Sequence, residues 1–181
     1  MANRRGPRDF ERLALPHLDA AYSLARWLMQ NESDAEDVVQ DAYLRAYKYF
    51  AGFLGGNFRA WLFAIVRHAA YDWMRRNRSQ EIALDVDVDG VSETSDDAAV
   101  SDNPETALLR KADHHMINEM IASLPPVLRE VVVLRELQEL SYQEIAEIIE
   151  VPIGTVMSRL SRARVRLIAD GQRRLKETDN G

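Results

Sequence analysis

The stretch that decides the fold is SYQEIAEIIEVPIGTVMSRLSRARVRL, residues 141–167. Ser141 with Glu144 three residues later is a capping box, because each side chain can bond the other residue's backbone amide, and it predicts a helix start. Pro152 enforces a short break, and a second helix is predicted to begin about Thr155. Two helices joined by a tight turn indicate a helix-turn-helix.

Both helices of this pair have one apolar face and one polar face. The inner face is formed by Ile145, Ile148, Ile149, Val156, Leu160, Ala163 and Leu167. The outer arc of the second helix carries Thr155, Ser158, Arg159, Arg162 and Arg166. In a helix-turn-helix, such residues meet base edges in the major groove. An amphipathic helical hairpin is the weaker alternative, since the helices, the turn and the single cationic arc agree with one another.

Charge is distributed unevenly along the 181 residues, whose formal net charge is -6. Residues 1–80 hold 12 Lys and Arg against 9 Asp and Glu, residues 81–113 hold 2 against 10, and residues 114–181 hold 9 against 10. This asymmetry predicts two locally basic modules joined by an acidic linker. Helical periodicity in both modules, without a convincing alternating strand, predicts an all-α protein with two small helical domains.

The N-terminal module contains SDAEDVVQDAYLRAY, residues 33–47. Ser33 and Glu36 have capping-box spacing, which predicts a helix that starts near Asp34. The buried stripe is predicted to contain Val38, Val39, Ala42, Tyr43, Ala46 and Phe50. The opposite face carries Asp37, Gln40, Asp41, Leu44 and Lys48, and taken by itself it reads as a solvated surface.

A second N-terminal helix is predicted for FRAWLFAIVRHAAYDWMRRNR, residues 58–78. Its apolar stripe is opposed by a basic and aromatic face: Arg67, His68, Tyr71, Asp72, Arg75, Arg76 and Arg78. Cations pair with phosphates and rings stack on unpaired bases, so this face suits nucleic acid. An ordinary amphipathic helix remains the alternative for this helix alone.

The composition argues against several other classes of protein. With no cysteine there is no disulfide, thiolate zinc site or cysteine nucleophile, and four scattered histidines do not predict a metal site. No carboxylate pair, triad or phosphate loop stands out, so no catalytic residue and no cofactor are expected. No apolar run is long enough for a membrane span, and the start MANRRGPRDFERL lacks the apolar core of a signal peptide, so a cytoplasmic protein is expected.

The acidic linker contains DVDVDGVSETSD, which begins at Asp85 and resembles the opening of a calcium loop. Asp87, Asp89 and Gly90 stand at the third, fifth and sixth places of that motif. The twelfth place holds Asp96, where an EF-hand needs a bidentate glutamate with a helix on each side. An acidic tether between the two modules is therefore predicted.

Three blocks of sequence together resemble regions 2 and 4 of the extracytoplasmic-function sigma factors of the sigma-70 family. They are residues 33–47, 58–78 and 124–167, and the likeness extends over most of residues 10–170. The resemblance implies that the chain binds core RNA polymerase, reads duplex promoter DNA at the minus 35 element with region 4, and opens the minus 10 element as single strands with region 2. It also implies an anti-sigma partner and no catalytic site.

The resemblance assigns roles to the faces described above. Docking on polymerase is implied for Asp37, Gln40, Asp41 and Leu44. The loop from Phe53 to Phe58, which includes Asn57, matches the segment that captures a base flipped from the non-template strand. The face along the minus 10 DNA is matched by Arg67, His68, Tyr71, Asp72, Arg75 and Arg76. The minus 35 reading helix is matched by Thr155, Ser158, Arg159 and Arg162, and Arg166 shares their arc.

Three residues depart from the family's usual pattern. His68 stands where many members have asparagine, and Met157 and Ser161 stand where the reading helix often carries a base and a bulkier ring-bearing residue. The competing function is a stand-alone helix-turn-helix regulator, which would not need the N-terminal module with its docking face.

Overall fold

The computed structural model describes residues 6–81 and 114–179, with side chains described for residues 6–77 and 114–176. The predicted acidic tether, with the calcium-loop motif that begins at Asp85, lies outside the described residues. Within the described ranges no residue is in a strand, and the predicted all-α class of two small helical domains is confirmed.

In chain order the helices are α1 Pro7–Ala14, a 3₁₀ turn Leu15–His17, α2 Leu18–Met29, α3 Glu32–Tyr49, a 3₁₀ turn Phe50–Gly52, α4 Phe58–Glu81, α5 114–122, α6 Pro126–Val132 with a π-helical turn Val133–Leu137, α7 Tyr142–Ile149 and α8 Ile153–Asp179. The described α-helices range from the 7 residues of α6 to the 27 residues of α8.

The N-terminal half is a bundle in which α2, α3 and α4 pack on one another, with α1 against α4. At one end, aromatic rings replace aliphatic side chains: Phe10 lies edge-on to Phe50 and Phe58, at ring-centroid distances of 5.4 and 6.4 Å. Edge-to-face rings at this spacing add attraction beyond the area they bury. This aromatic end fixes the start of α4 against α1.

The start of α3 differs from the sequence prediction. Asn31 is the N-cap, and its side-chain oxygen accepts a hydrogen bond of 3.0 Å from the amide of Asp34. Ser33, predicted as the cap, lies inside the first turn and is exposed. The reason is the end of α2: Gln30 adopts a left-handed conformation with φ of 56°, which closes α2 and leaves Asn31 extended at the cap position.

The C-terminal half confirms the predicted helix-turn-helix. Ser141 and Glu144 form the capping box at the start of α7, with hydrogen bonds of 3.2 and 2.7 Å. Helix α7 ends at Glu150 in a left-handed conformation. Helix α8 begins two residues before the predicted Thr155, because the Pro152 carbonyl already accepts from the Thr155 amide at 2.9 Å. The predicted inner face is buried, with Leu167 half-buried at its end.

The two halves share one apolar core, since α4 packs on α7 and α2 packs on α6. Arg129 of α6 is buried between them. Its guanidinium donates to the carbonyl oxygen of Trp27 at 3.3 Å and to those of Ala122 and Leu124 at 2.8 and 2.9 Å. A cation at carbonyls of helix C-termini satisfies acceptors that the helices leave open. Gln30 adds a further bond across the halves, to the same Ala122 carbonyl, at 2.9 Å.

The cap assignment of α3 is tested by two alanine substitutions. Asn31→Ala should lower the free energy of unfolding by about 1 kcal/mol, because it leaves an amide of the first turn without its acceptor. Ser33→Ala should change it by less than about 0.5 kcal/mol, since the residue is an exposed position inside the helix. Urea unfolding followed by circular dichroism measures both, and a larger loss for Ser33→Ala than for Asn31→Ala would contradict the assignment.

Candidate nucleic-acid interface

The outer arc of α8 is open to solvent over most of its length. Ser158, Arg162 and Arg166 are exposed, whereas Thr155 and Arg159 are half-buried. The hydroxyl of Ser158 donates to the Thr155 carbonyl at 3.0 Å. The structure therefore brings all five predicted reading residues onto one side of α8, and three of them are exposed.

The loop between α3 and α4 does not present its aromatic residues. Phe58, predicted as part of a base-capturing segment, is 7% exposed, and Phe53 packs against it and against Trp61 at ring-centroid distances of 5.4 and 5.1 Å. These rings lie beneath the loop, where they pack into the aromatic end of the N-terminal bundle. Phe58 is therefore not presented to a base in this structure, and the role of the segment stays a prediction. The exposed apolar group in the loop is Leu54, at 97% exposure.

Asn57 has a structural role at the base of the loop. Its side-chain oxygen accepts from the amide of Ala60 at 3.1 Å, so it caps α4. Its amide nitrogen donates to Glu144 of α7 at 2.5 Å. The residue is exposed, but both of its polar ends are engaged.

Two residues of the basic and aromatic face of α4, Arg67 and Tyr71, contact α6. Arg67 donates from Nε to a carboxylate oxygen of Glu130, and the Tyr71 hydroxyl donates to the other oxygen at 3.2 Å. The guanidinium of Arg67 also lies 4.7 Å from the centre of the Tyr71 ring. Burial, and next the charge of Glu130, raise the pKa of Tyr71 to about 12. The sequence predicted that this face suits nucleic acid, and in the structure its residues Arg67 and Tyr71 lie between the halves while His68, Arg75 and Arg76 are exposed.

Glu130 is the acidic residue at the centre of this contact. Its side chain is 1% exposed, and that of Arg67 is 18% exposed. Burial raises the pKa of Glu130, although Arg67 and Tyr71 oppose that change. The raised pKa indicates that the cost of removing this carboxylate from water exceeds the stabilisation of its charged form by Arg67 and Tyr71.

Polar contacts surround that buried pair. Arg59 donates to the carbonyl and the side-chain oxygen of Gln138 at 2.8 and 3.1 Å. At the opposite edge His68 lies 3.3 Å from Glu150. These contacts join α4 to the end of the π-helical turn and to the end of α7.

The side chains near the C-terminal end of the described part of α4 form a separate charged group. Asp72 accepts from Arg45 of α3 at 2.7 Å and from Arg75 at 2.5 Å. Hydrogen bonding from Arg45, together with the charges of Arg45, Arg75 and Arg76, holds the pKa of Asp72 below its usual value. Asp72 thus ties α3 to α4, while Arg75 and Arg76 remain exposed.

The outer face of α3 matches the prediction of a solvent-facing surface. Asp37 and Gln40 are exposed, Leu44 is 65% exposed, and half-buried Asp41 pairs with Arg45 at 2.7 Å. An exposed leucine flanked by polar groups is available to a partner.

Two residues that sequence reasoning did not single out are Arg129 and Glu130. Both are buried at the contact between the halves. The available signal was a charged pair inside LPPVLREVVVL, where every neighbour is apolar. Charged residues at such a position are almost never fully buried unless they are paired.

Across residues 6–81 and 114–179 no group of three or more His, Asp or Glu side chains could hold a metal ion. No helix in these ranges is long and apolar enough to cross a membrane.

Comparison with known proteins gives matches along both halves. Residues 13–80 match the family model for sigma-70 region 2, and residues 114–167 match that for sigma-70 region 4. The chain is 32% identical to the RNA polymerase sigma-H factor of Pseudomonas aeruginosa over 164 residues, which is 89% of this chain and 85% of the relative. It is 37% identical to the ECF RNA polymerase sigma-E factor of Escherichia coli K12, over 72% of this chain and 70% of the relative.

Solved structures give the same result. The sigma factor RpoE in complex with the anti-sigma factor NepR, from Bartonella quintana, is 30% identical, with a TM-score of 0.76 over 91% of this chain and 98% of that chain. The structure of CnrH in complex with the cytosolic domain of CnrY is 26% identical, with a TM-score of 0.60 over 91% of this chain and 88% of that chain.

The tie between α3 and α4 predicts a pH-dependent contribution to stability. Because the pKa of Asp72 is lowered in the folded chain, the contribution is present above the usual value of 3.8 and is lost as the pH falls through the folded-state value. Asp72→Asn should therefore lower the free energy of unfolding by up to about 1 kcal/mol at pH 7, the range for partly exposed pairs. Urea titrations at pH 7 and below pH 4 should show the difference shrinking in acid.

The double variant Arg45→Gln/Asp72→Asn is the control for this tie. It should lose little more than either single variant, because both remove one interaction. Additive losses at pH 7 would contradict the pairing.

Proposed function

The chain belongs to the extracytoplasmic-function branch of the sigma-70 family, and from that premise we propose how its residues divide the work of initiating transcription. It is an alternative sigma factor that directs RNA polymerase to promoters. Members of this family are initiation factors, and the residues assigned below are proposed to bind and position promoter DNA and polymerase. The observation that carries the assignment of roles is the exposed cationic arc of α8 on a chain that also carries the region 2 bundle.

Reading of the minus 35 duplex is assigned to the outer arc of α8. Arg162 and Arg166 supply cations for phosphates or guanine edges, and Ser158 supplies a hydroxyl for base edges. Thr155 and Arg159 stand at the N-terminal turns of the helix, which in helix-turn-helix proteins enter the groove. Support comes from the exposure of three of these side chains and from the match to region 4.

Opening of the minus 10 element is assigned to the loop between α3 and α4 and to α4 itself. Leu54 projects from the loop as an exposed apolar group, so it is proposed to bind the flipped base in place of buried Phe58. Arg67, His68 and Tyr71 are proposed to hold the melted strand by phosphate pairing and ring stacking. Arg75 and Arg76 extend this basic surface along the helix, positioned by Asp72.

Docking on core polymerase is assigned to the outer face of α3, with Asp37, Gln40, Asp41 and Leu44 as its contacts. An exposed leucine framed by polar groups suits a protein interface with an apolar centre and a polar rim. A protein that works with polymerase and promoter DNA is proposed to act in the cytoplasm. Because two similar structures were solved with partners, one of them named an anti-sigma factor, an anti-sigma partner is also proposed for this chain.

A stand-alone helix-turn-helix regulator is not favoured. Such a protein has no use for the region 2 bundle that residues 13–80 match. The two functions differ in one observable property, which is dependence on core polymerase.

Run-off transcription with core polymerase and promoter fragments tests the assignment. Transcripts should depend on the protein, and Arg162→Ala should lower their yield about tenfold, the loss expected for one good contact to DNA. Arg164→Ala is the matched control, because it removes an exposed arginine from the opposite side of the same helix, where it pairs with Glu136, and it should leave the yield unchanged. Duplex binding that needs no polymerase, with no transcripts, would overturn the assignment in favour of the regulator.

The loop assignment is tested by Leu54→Ala on duplex and pre-melted promoters. Loss of the exposed side chain should reduce open-complex formation, measured by permanganate reactivity of minus 10 thymines, and should spare a template with a mismatched bubble. The free energy of unfolding should not change. Phe58→Ala should instead lower it by about 3–5 kcal/mol, as for other buried aromatic rings. Unaltered opening by Leu54→Ala would contradict the loop's role.

A further inference from the structure

Two large apolar side chains are exposed at the start of α8. Ile153, the first residue of the helix, is 39% exposed, and Met157, the fifth, is 52% exposed. They are four residues apart, so they are neighbours on the helix surface. The buried face of α8 is formed by other residues, Val156, Leu160 and Ala163. The thioether of Met157 is therefore left outside the core.

The surroundings of Met157 leave its side chain prominent at the edge of the reading surface. Gly154, three residues before it, and Ser161, four residues after it, are both small and exposed, and the space beside Gly154 is open. Ser161 is in turn a helical neighbour of Ser158. Arg162 continues the same surface, since its Nε donates to the carbonyl oxygen of Ser158 at 3.4 Å. Met157 thus borders two of the residues to which base reading is assigned.

The chemistry of a methionine side chain restricts what it can recognise in duplex DNA. A thioether has no hydrogen-bond donor and is only a weak acceptor, so it neither pairs with phosphate nor reads the polar edge of a base. Among the groups that bases present in the major groove, the 5-methyl group of thymine is the apolar one. Packing a thioether on that methyl group removes apolar surface of both from water. The N-terminal residues of a helix in this position are the ones that reach base edges.

We propose that Met157, backed by Ile153, is a specificity-determining residue that packs on the 5-methyl group of a thymine in the minus 35 duplex. The inference rests on the proposed function of α8. It adds apolar recognition to the hydrogen bonding assigned to Ser158 and Arg162. Because the recognised feature is a methyl group at C5, the contact selects thymine over cytosine and over uracil, and 5-methylcytosine over cytosine.

The first step of the test locates the thymine. Run-off transcription with core polymerase from promoters with randomised minus 35 elements should show that the wild type prefers thymine at one position. Met157→Ala should lose the preference at that position and keep the preferences at the others. Because Met157 is exposed, the substitution should leave the helix content unchanged by circular dichroism.

The second step replaces that thymine by deoxyuridine, which deletes one methyl group and keeps every hydrogen-bonding group of the base. Wild-type transcription at limiting protein should fall about fourfold, the effect of losing one buried methyl group. Met157→Ala should transcribe equally from both promoters. Cytosine and 5-methylcytosine at the same position should repeat the pattern, with the methylated promoter preferred by the wild type only.

Two further variants separate recognition of the methyl group from a general loss of binding. Met157→Leu keeps an apolar side chain and should retain the ratio of thymine to deoxyuridine transcription. Ile168→Ala removes an apolar side chain that is 62% exposed on the same helix, about three turns nearer its C-terminus, and should also retain it. A merely structural role of Met157 would lower both yields and leave their ratio unchanged.

The two proposals fail in different ways. If transcripts depend on the wild type but thymine and deoxyuridine promoters give equal yields, the methyl contact is overturned and the proposed function stands. A full thymine preference in Met157→Ala overturns the assignment to this residue. If the wild type gives no transcripts with polymerase, the proposed function falls, and binding of the protein alone to thymine and deoxyuridine duplexes then decides. Equal affinity for the two duplexes, or no binding to either, overturns the methyl contact.

Discussion

A carboxylate that is buried must be given donors, and this requirement at Glu130 governs how the two halves meet. Arg67 and Tyr71 are one turn apart on α4, so their donors converge on one carboxylate. Arg129, the next residue along α6, points to the carbonyls at the ends of α2 and α5. A buried pair with defined partners specifies register more than it adds stability. The position of α6 against both α2 and α4 follows from these two adjacent residues.

The same physical chemistry suits α4 both to DNA and to its own C-terminal half. A helix with one apolar stripe and one basic, aromatic stripe presents cations that require anionic partners. DNA provides phosphates, and the C-terminal half provides carboxylates. The aromatic end of the bundle leaves Leu54 exposed because Phe53 and Phe58 are used in packing. Residue type alone therefore predicted more exposed rings in this loop than the structure contains.

The sequence predicted the helices well where the signals were local. The capping box at Ser141 and the inner stripes of α7 and α8 depend on spacings of three and four residues, which a sequence displays directly. The cap of α3 was misplaced because Asn31 with Asp34 and Ser33 with Glu36 have the same spacing and similar cap preferences. Where α2 ends decides between them. The contact at Glu130 escaped prediction because its partners lie 63 and 59 residues earlier in the chain.

The contact between the halves covers the proposed surfaces unequally. The outer face of α3 and the exposed part of the α8 arc need no rearrangement before a partner reaches them. On α4, Arg67 and Tyr71 are already bound by the buried Glu130, so a ligand that needs these two donors has to displace that carboxylate first. The proposed surfaces therefore differ in whether a partner can bind them without a rearrangement of the chain.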